Sequence, residues 1–244
     1  MNCAIILAGG EGKRMGSQKP KALSLVLGKP MLQWVLNAVR ESEIEKICIV
    51  KGYKKEEIEL FTDSLSYPVE TVYQSERLGT GHAVMMAKDF LCRNKGNVVV
   101  LNGDSPFIDS ETIKSALLLH ISSKASATVI SAEVEDPDGY GRVIRKEDGS
   151  LYGVMEQKDA DAGVLKIKEV NSGCYWFDTE NLLSVLDKIT SANKAGEYYL
   201  PDTLKLLSEK NAKISVFKAS SPYTVLGAND PEQLKELNRI AQNL

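Results

Sequence analysis

Two cations, a carboxylate and a glycine-rich turn are the residues in this chain best placed to handle a phosphorylated ligand. The turn is Leu7-Ala8-Gly9-Gly10-Glu11-Gly12-Lys13-Arg14-Met15, and Lys19-Pro20-Lys21 closes it. Such a turn exposes backbone N–H groups to phosphate oxygens, because glycine permits positive φ and close approach. Arg14 and Lys21 supply the positive charge that a phosphate demands. The pattern is neither of two familiar glycine loops. A phosphate-binding Walker loop needs glycine where this chain has Leu7, and Ser or Thr where it has Arg14. The dinucleotide fingerprint would need its third glycine at Met15. The carboxylate is Asp104, in Leu101-Asn102-Gly103-Asp104-Ser105-Pro106. It ends the most apolar run of the chain, and a carboxylate beside a nucleotide suits Mg²⁺, which takes one or two protein oxygens plus phosphates.

Other positions carry weaker chemistry. Gln74 follows an apolar run, and its amide can donate and accept at once, which suits reading a pyrimidine edge. Leu78-Gly79-Thr80-Gly81-His82 opens a helical pattern whose start offers N–H donors, or in which Thr80 is a plain N-cap. His82 has no base, nucleophile or metal partner nearby in sequence and reads as structural. In the second half, Glu156 and Asn171 are suited to sugar hydroxyls, and a close-approach glycine near Gly139-Tyr140-Gly141 can offer its N–H to an N-acyl carbonyl. Asn229, in Gly227-Ala228-Asn229-Asp230, is a second metal ligand or a cap before the helix that Asp230-Pro231 starts. Taken singly, most of these are ordinary turn or strand-end residues.

The elements that must position them alternate in the first half. Cys3–Ala8, Lys46–Lys51, Val69–Tyr73 and Asn97–Asn102 read as strands. Between and after them, Met31–Glu41, Lys54–Phe61, His82–Leu91 and Glu111–His120 read as helices; Pro30 suits the start of the first. Continuous apolar strands alternating with helices imply a parallel sheet covered on both faces, a Rossmann-like, doubly wound core. The second half is β-richer. Ala127–Val134 and Glu169–Phe177 read as strands, and Arg142–Arg145 with Leu151–Met155 flank Asp148-Gly149 as a hairpin. Helices are expected near Thr179–Ile189 and Leu200–Leu207, and a late strand at Ile214–Val216. The last helix should place Leu234, Leu237, Ala241 and Leu244 on its apolar side. No repeat or long linker divides the chain.

The bulk numbers exclude several function classes. With 244 residues the chain can bury a large core, and a net charge of −3 argues against a nucleic-acid partner, which normally meets a basic face. Cys3, Cys48, Cys92 and Cys174 lack metal-ligand spacing, and with two histidines they leave little for zinc. Cys3 and Cys48 sit in apolar runs and read as buried free thiols in a reducing compartment. No apolar stretch approaches the about 18 residues of a membrane span, and no signal-like N-terminus is present, so the expected location is cytoplasmic, away from membranes.

Together and in this order, the motifs resemble the pyrophosphorylase (uridyltransferase) domain of the bacterial N-acetylglucosamine-1-phosphate uridyltransferases, within the sugar-phosphate nucleotidyltransferase family. Leu7–Met15, Lys19–Lys21, Gln74, Leu78–Val84, Gly103-Asp104, Asp136–Arg142, Glu156–Ala160, Asn171–Gly173, Gly196–Tyr199 and Gly227–Asn229 carry the likeness, which spans nearly the whole chain. Leu-Gly-Thr-Gly-His-Ala and Gly-Tyr-Gly-Arg are its most specific parts. The resemblance implies a single nucleotidyltransferase domain over 1–244: about 1–125 binds nucleotide, about 126–226 forms a sugar-binding lobe, and 227–244 holds a metal-ligand loop and the final helix. The expected fold is α/β, a Rossmann-like doubly wound mixed sheet, mostly parallel, with a β-hairpin-containing sugar lobe.

The resemblance also implies roles. Leu7, Ala8, Gly9, Gly10, Gln74, Gly79 and Thr80 would hold the nucleotide; Gly141, Glu156 and Asn171 the N-acetylhexosamine; Asp104 and Asn229 Mg²⁺. Arg14 and Lys21 would be the catalytic cations on the phosphates. UTP and a sugar 1-phosphate, N-acetylglucosamine 1-phosphate in the family, would give a nucleotide sugar and pyrophosphate. Asn102 stands where the family commonly has Tyr, and Pro201 where it has Thr; both bear on which sugar is held. The relatives continue into a hexapeptide-repeat acetyltransferase domain, so acetyl transfer is expected to be absent from a chain ending at Leu244, and the oligomeric state is left open. A nucleotidyltransferase using another sugar 1-phosphate, one using CTP with a small alcohol phosphate, and a non-catalytic nucleotide-sugar sensor are the rival readings.

Overall fold

The apolar runs Asn2–Ala8 (β1), Lys46–Lys51 (β4) and Asn97–Asn102 (β6) form the middle of the sheet because side chains on both of their faces must be covered. The computed structural model describes residues 1–16 and 19–244. Between β1 and β4 come a two-residue ribbon, Leu25–Val26 (β2) with Lys29–Pro30 (β3), and helix α1, Met31–Glu41. Helix α2, Lys55–Asp63, leads to β5, Glu70–Tyr73; helices α3, Thr80–Met86, and α4, Lys88–Arg93, lead to β6. Helix α5, Ser110–Ser122, precedes β7, Ala127–Glu133, the hairpin β8, Arg142–Arg145, with β9, Leu151–Met155, and the long β10, Glu169–Asp178. Helices α6, Thr179–Leu186, and α7, Asp202–Glu209, strand β11, Ile214–Lys218, and helix α8, Pro231–Ala241, complete the order.

The main sheet runs β11-β7-β10-β6-β1-β4-β5, with the β8–β9 hairpin joined to β10. From β6 to β5 every pairing is parallel, while β10 is antiparallel to both β6 and β7. The sheet is therefore mixed and mostly parallel. Its two faces carry separate cores. Helices α3, α4, α6 and α7 cover Ile5, Val50, Val100 and Phe177; α1, α2 and α5 cover Ile6, Ile49, Leu101 and Trp176. A smaller core lies where Leu237 and Ile240 of α8 meet Val26, Met31 and Phe107. Burial pushes the Cys3 and Cys48 thiols up to about 12, so both serve as small hydrophobes.

Several local expectations differ from the structure for identifiable reasons. The helix expected over His82–Leu91 begins at Thr80 and is broken at Ala87, whose N–H bonds Val84 O three residues back and whose φ of −92° leaves the helical course. The helix expected from Leu200 begins at Asp202, because Pro201 lacks an N–H and occupies the N-cap position. Helix α8 ends at Ala241, so Leu244 is exposed and Ile240 takes its place on the apolar side. The glycine turn leads into a short 3₁₀ turn, Lys13–Met15, bracketed by Gly12 and Gly16 in left-handed conformation. A second one, Lys21–Leu23, follows Pro20.

Candidate active site

All the strand ends that carry site residues open on one edge of the parallel sheet, as expected of an open α/β sheet. The end of β1 continues as Leu7, Ala8 and Gly9, clamped between its neighbours. Gly103 N–H donates to Leu7 O at 2.9 Å, and Tyr53 N–H donates to Gly9 O at 3.1 Å. No side chain fits between these backbones: a Cβ on Gly52 would lie 2.7 Å from Gly9 O. The turn then reaches Lys21, whose N–H donates to Gly10 O at 3.3 Å.

Two clefts meet above this edge. The first, about 280 Å³, is walled by Leu7, Ala8, Gly9, Gly10, Gln74, Arg77, Gly79, Thr80 and Glu197. The second, about 250 Å³, is walled by Gly141, Glu156, Asn171, Tyr140, Tyr175, Pro201, Gly227 and Asn229. Lys21, Thr80, Asn102 and Asp104 line both, and so mark the junction.

At that junction the Lys21 ammonium is ion-paired with Asp104 Oδ2 and donates to Asn229 Oδ1 at 2.6 Å. Asp104 and Asn229 are thus brought together from distant parts of the chain, with their oxygens close enough to share one cation. An all-oxygen pair of one carboxylate and one amide suits Mg²⁺, which leaves its other positions to water and phosphate. Among the described residues no group of three or more His, Cys, Asp or Glu is placed to hold a metal ion. Gly227 must be glycine, because a Cβ would lie 2.8 Å from Asp104 O.

Arg14 is placed differently. It lies exposed on the first 3₁₀ turn and walls neither cleft. Two side chains to which the sequence reading gave no role line the first cleft instead. Arg77 enters the first cleft, ion-paired to Glu11, and Glu197 joins it from the far side of the chain. Arg77 sits between Gln74 and Gly79, a spacing that could have signalled it.

The segments 78–81 and 198–200 are hydrogen-bonded to each other. Gly81 N–H donates to Tyr198 O at 2.7 Å, Tyr198 N–H to Leu78 O at 2.7 Å, and Leu200 N–H to Thr80 Oγ1 at 3.0 Å. Thr80 is accordingly the first residue of α3 and not its cap, which is Gly79. His82 is bonded to Gln74, Nε2 to Nδ1 at 3.1 Å, and its ring lies 6.2 Å from that of Tyr198.

In the second cleft, Asn171 N–H donates to Gly141 O at 2.8 Å, and a Cβ on Gly141 would lie 3.1 Å from Glu156 Oε1. The three sequence-derived residues therefore share one wall. A bulge after Asn171 turns Gly173 to φ 74°, letting Asn171 Oδ1 accept from Gly173 N–H at 3.1 Å while Asn171 Nδ2 donates to Tyr175 OH at 2.6 Å. Asn102 Nδ2 reaches Ser172 O at 3.4 Å and packs on Gly173. Burial, with Asp159, Asp202 and Glu197 nearby, raises the Glu156 carboxyl above its ordinary range. Behind this wall Arg142 is buried, its guanidinium on Tyr140 O, Gln157 Oε1 and Leu165 O.

A mixed, mostly parallel α/β sheet with a two-part cleft at its carboxyl edge defines the class. The model of the nucleotidyl transferase family matches residues 3–221, and the chain belongs to that family. Among curated proteins it is 42% identical over 246 residues to the bifunctional protein GlmU of Acetivibrio thermocellus, covering 100% of this chain and 52% of that protein. It is also 42% identical over 239 residues to GlmU of Clostridium tetani, covering 98% of this chain and 52% of that one. The chain thus spans about half the length of these relatives. Solved structures share the fold: a putative glucose-1-phosphate thymidylyltransferase from Bacillus anthracis superposes with TM-score 0.83 at 20% identity, covering 100% of this chain and 96% of that one. A UDP-glucose pyrophosphorylase complexed with UDP-glucose superposes with TM-score 0.81 at 18% identity, covering 100% and 99%. No helix among the described residues is long and apolar enough to cross a membrane.

Proposed function

We propose that this chain is a cytoplasmic nucleotidyltransferase domain, one unit over 1–244, that makes UDP-N-acetylglucosamine and pyrophosphate from UTP and N-acetylglucosamine 1-phosphate. The observation that carries the proposal is the junction of the two clefts, where Lys21 joins Asp104 to Asn229 between a glycine-walled cleft and a Glu156/Asn171-walled one. The likeness to GlmU proteins, about half of whose length this chain spans, supports the choice of nucleotide and sugar.

In this reading the Ala8–Gly9 main chain, Gln74 and the Gly79-Thr80 backbone hold the uracil, with Leu7 and Gly10 beside the ribose and phosphates. Gly141 offers its N–H to the N-acetyl carbonyl, and Glu156 and Asn171 take sugar hydroxyls. An oxygen of the sugar 1-phosphate attacks the α-phosphorus of UTP; the bond from that phosphorus to the β-phosphate oxygen breaks, and pyrophosphate leaves. The attacking phosphate is mostly dianionic near neutral pH, so no side chain need remove a proton. Catalysis is alignment and charge neutralisation. Asp104 and Asn229 would hold Mg²⁺, which supplies charge neutralisation between the reacting phosphates when bound. Lys21 then turns its ammonium to the phosphates, and Arg14 with it offsets the charge on the leaving group. Arg14→Ala and Asp104→Ala should each lower turnover by about 10²-fold or more, with melting temperature kept, in a pyrophosphate-release assay. Wild-type turnover in either variant would remove that residue from the mechanism.

A further inference from the structure

The side-chain amide of Gln74 is more committed than its residue type implies. Its Nε2 lies 3.1 Å from Gly79 O and 3.1 Å from His82 Nδ1. A backbone carbonyl only accepts, so the amide atom facing Gly79 is the NH₂ group. Both of its N–H bonds are then spent, one on Gly79 O and one on the His82 ring. His82 Nδ1 must offer a lone pair, which places the ring proton on Nε2.

What remains is Oε1. It makes no hydrogen bond among the described residues and lies beside Gly9, 3.1 Å from where a Cβ on that residue would stand. Gln74 walls the first cleft, so it presents there an acceptor and no donor. Uracil carries a donor at N3, whereas cytosine carries a lone pair at the same position. An acceptor held in this orientation fits the first and repels the second.

We propose that His82 is a positioning residue that locks the Gln74 amide as an acceptor and so restricts the first cleft to a pyrimidine with an N3–H. The inference rests on reading that cleft as the nucleotide end. His82 is itself held in place, since its ring lies against Tyr198, whose backbone is hydrogen-bonded to Leu78 and Gly81. Thymine shares the N3–H and is not discriminated by this edge.

Calorimetric binding of UTP and CTP to wild type, His82→Phe and His82→Asn tests it without requiring turnover. Phenylalanine keeps a ring against Tyr198 but has no acceptor; asparagine returns an oxygen near the place of Nδ1. Wild type should prefer UTP by at least about tenfold, His82→Phe should lose most of that preference, and His82→Asn should keep it to within about threefold. Affinity for the sugar 1-phosphate should be unchanged throughout. A preference intact in His82→Phe, or a sugar 1-phosphate affinity that falls in step with that for UTP, overturns the role of His82. Binding of neither nucleotide by wild type overturns the reading of the cleft instead. Side-chain ¹⁵N NMR of the wild-type protein separates the two and serves if the variants fail to fold. The neutral ring with its proton on Nε2 is expected, and a proton on Nδ1 would refute the arrangement.

Discussion

Replacing Gly79 by alanine should damage both clefts at once, because it packs against Tyr198, in the segment that carries Glu197 into the first cleft and Pro201 into the second. Its backbone has φ 107° and ψ 176°, a region open essentially to glycine alone, and holding another residue there costs about 1–3 kcal/mol. The new methyl would also stand 2.6 Å from Tyr198 O and 2.9 Å from Tyr198 N. The segment around Tyr198 must therefore withdraw, breaking the two 2.7 Å hydrogen bonds that tie it to Leu78 and Gly81. At about 0.5–1.5 kcal/mol each, these bring the whole effect to about 2–6 kcal/mol, from a stability of about 5–15. For a domain of this size the melting temperature should fall by about 5–20 °C. Glu197 leaves the first cleft and Pro201 shifts in the second, so KM should rise for both substrates. Calorimetric melting together with two-substrate kinetics reads both effects. Gly153→Ala is the control: it lies in β9 with open space around a Cβ and should change neither. A Gly79→Ala protein melting within about 2 °C of wild type, or with only one KM altered, would refute the reasoning.

Gly10→Ala should behave in the opposite way: nothing lies within 4 Å of its Cβ, so melting is unchanged, while KM for UTP rises about tenfold or more because the methyl projects from a wall of the cleft. Lys21→Ala should let Asp104 and Asn229 take Mn²⁺ more tightly in the absence of nucleotide, since the ammonium no longer competes for their oxygens, and should lower turnover by about 10²-fold; titration followed by electron paramagnetic resonance checks the first part. Glu156→Gln should raise the melting temperature at neutral pH, read by calorimetry. The raised carboxyl pKa means the folded state favours the protonated form, an advantage present below the ordinary carboxylate range and lost as pH rises through the folded pKa; the amide retains it, so the difference from wild type should vanish on acidification.

What was legible in the sequence was what depends on near neighbours. The apolar runs of β1, β4 and β6 announce buried parallel strands, and Asp148-Gly149 announces the hairpin, where Asp148 Oδ1 accepts from Ser150 N–H at 2.9 Å. Gln74, Asp104 and Glu156 were legible as cleft residues because each follows a strand, and Asn171 because it sits near the start of one. Contacts made across long separations were not. The clamp between 78–81 and 197–200 joins segments far apart in the chain, so neither Glu197 in the first cleft nor the bond from Leu200 to Thr80 could be read locally. His82 read as a structural residue because its partner, Gln74, sits on the preceding strand end and is met only when β5 and α3 pack. Lys21 itself was singled out by its place in the turn, but its bridging of Asp104 and Asn229 was hidden for the same reason, since the two oxygens come from the turn after β6 and the loop before α8. Arg14, the most prominent cation of the turn, stands exposed outside both clefts, which its place in the sequence could not show.

The most direct test of the central claim is pyrophosphate release by the purified chain with N-acetylglucosamine 1-phosphate and Mg²⁺, comparing UTP with CTP. The account predicts pyrophosphate in step with UDP-N-acetylglucosamine, dependent on the metal, and little product from CTP. No pyrophosphate from UTP with this or any other sugar 1-phosphate, or equal rates with CTP and a small alcohol phosphate, would contradict it.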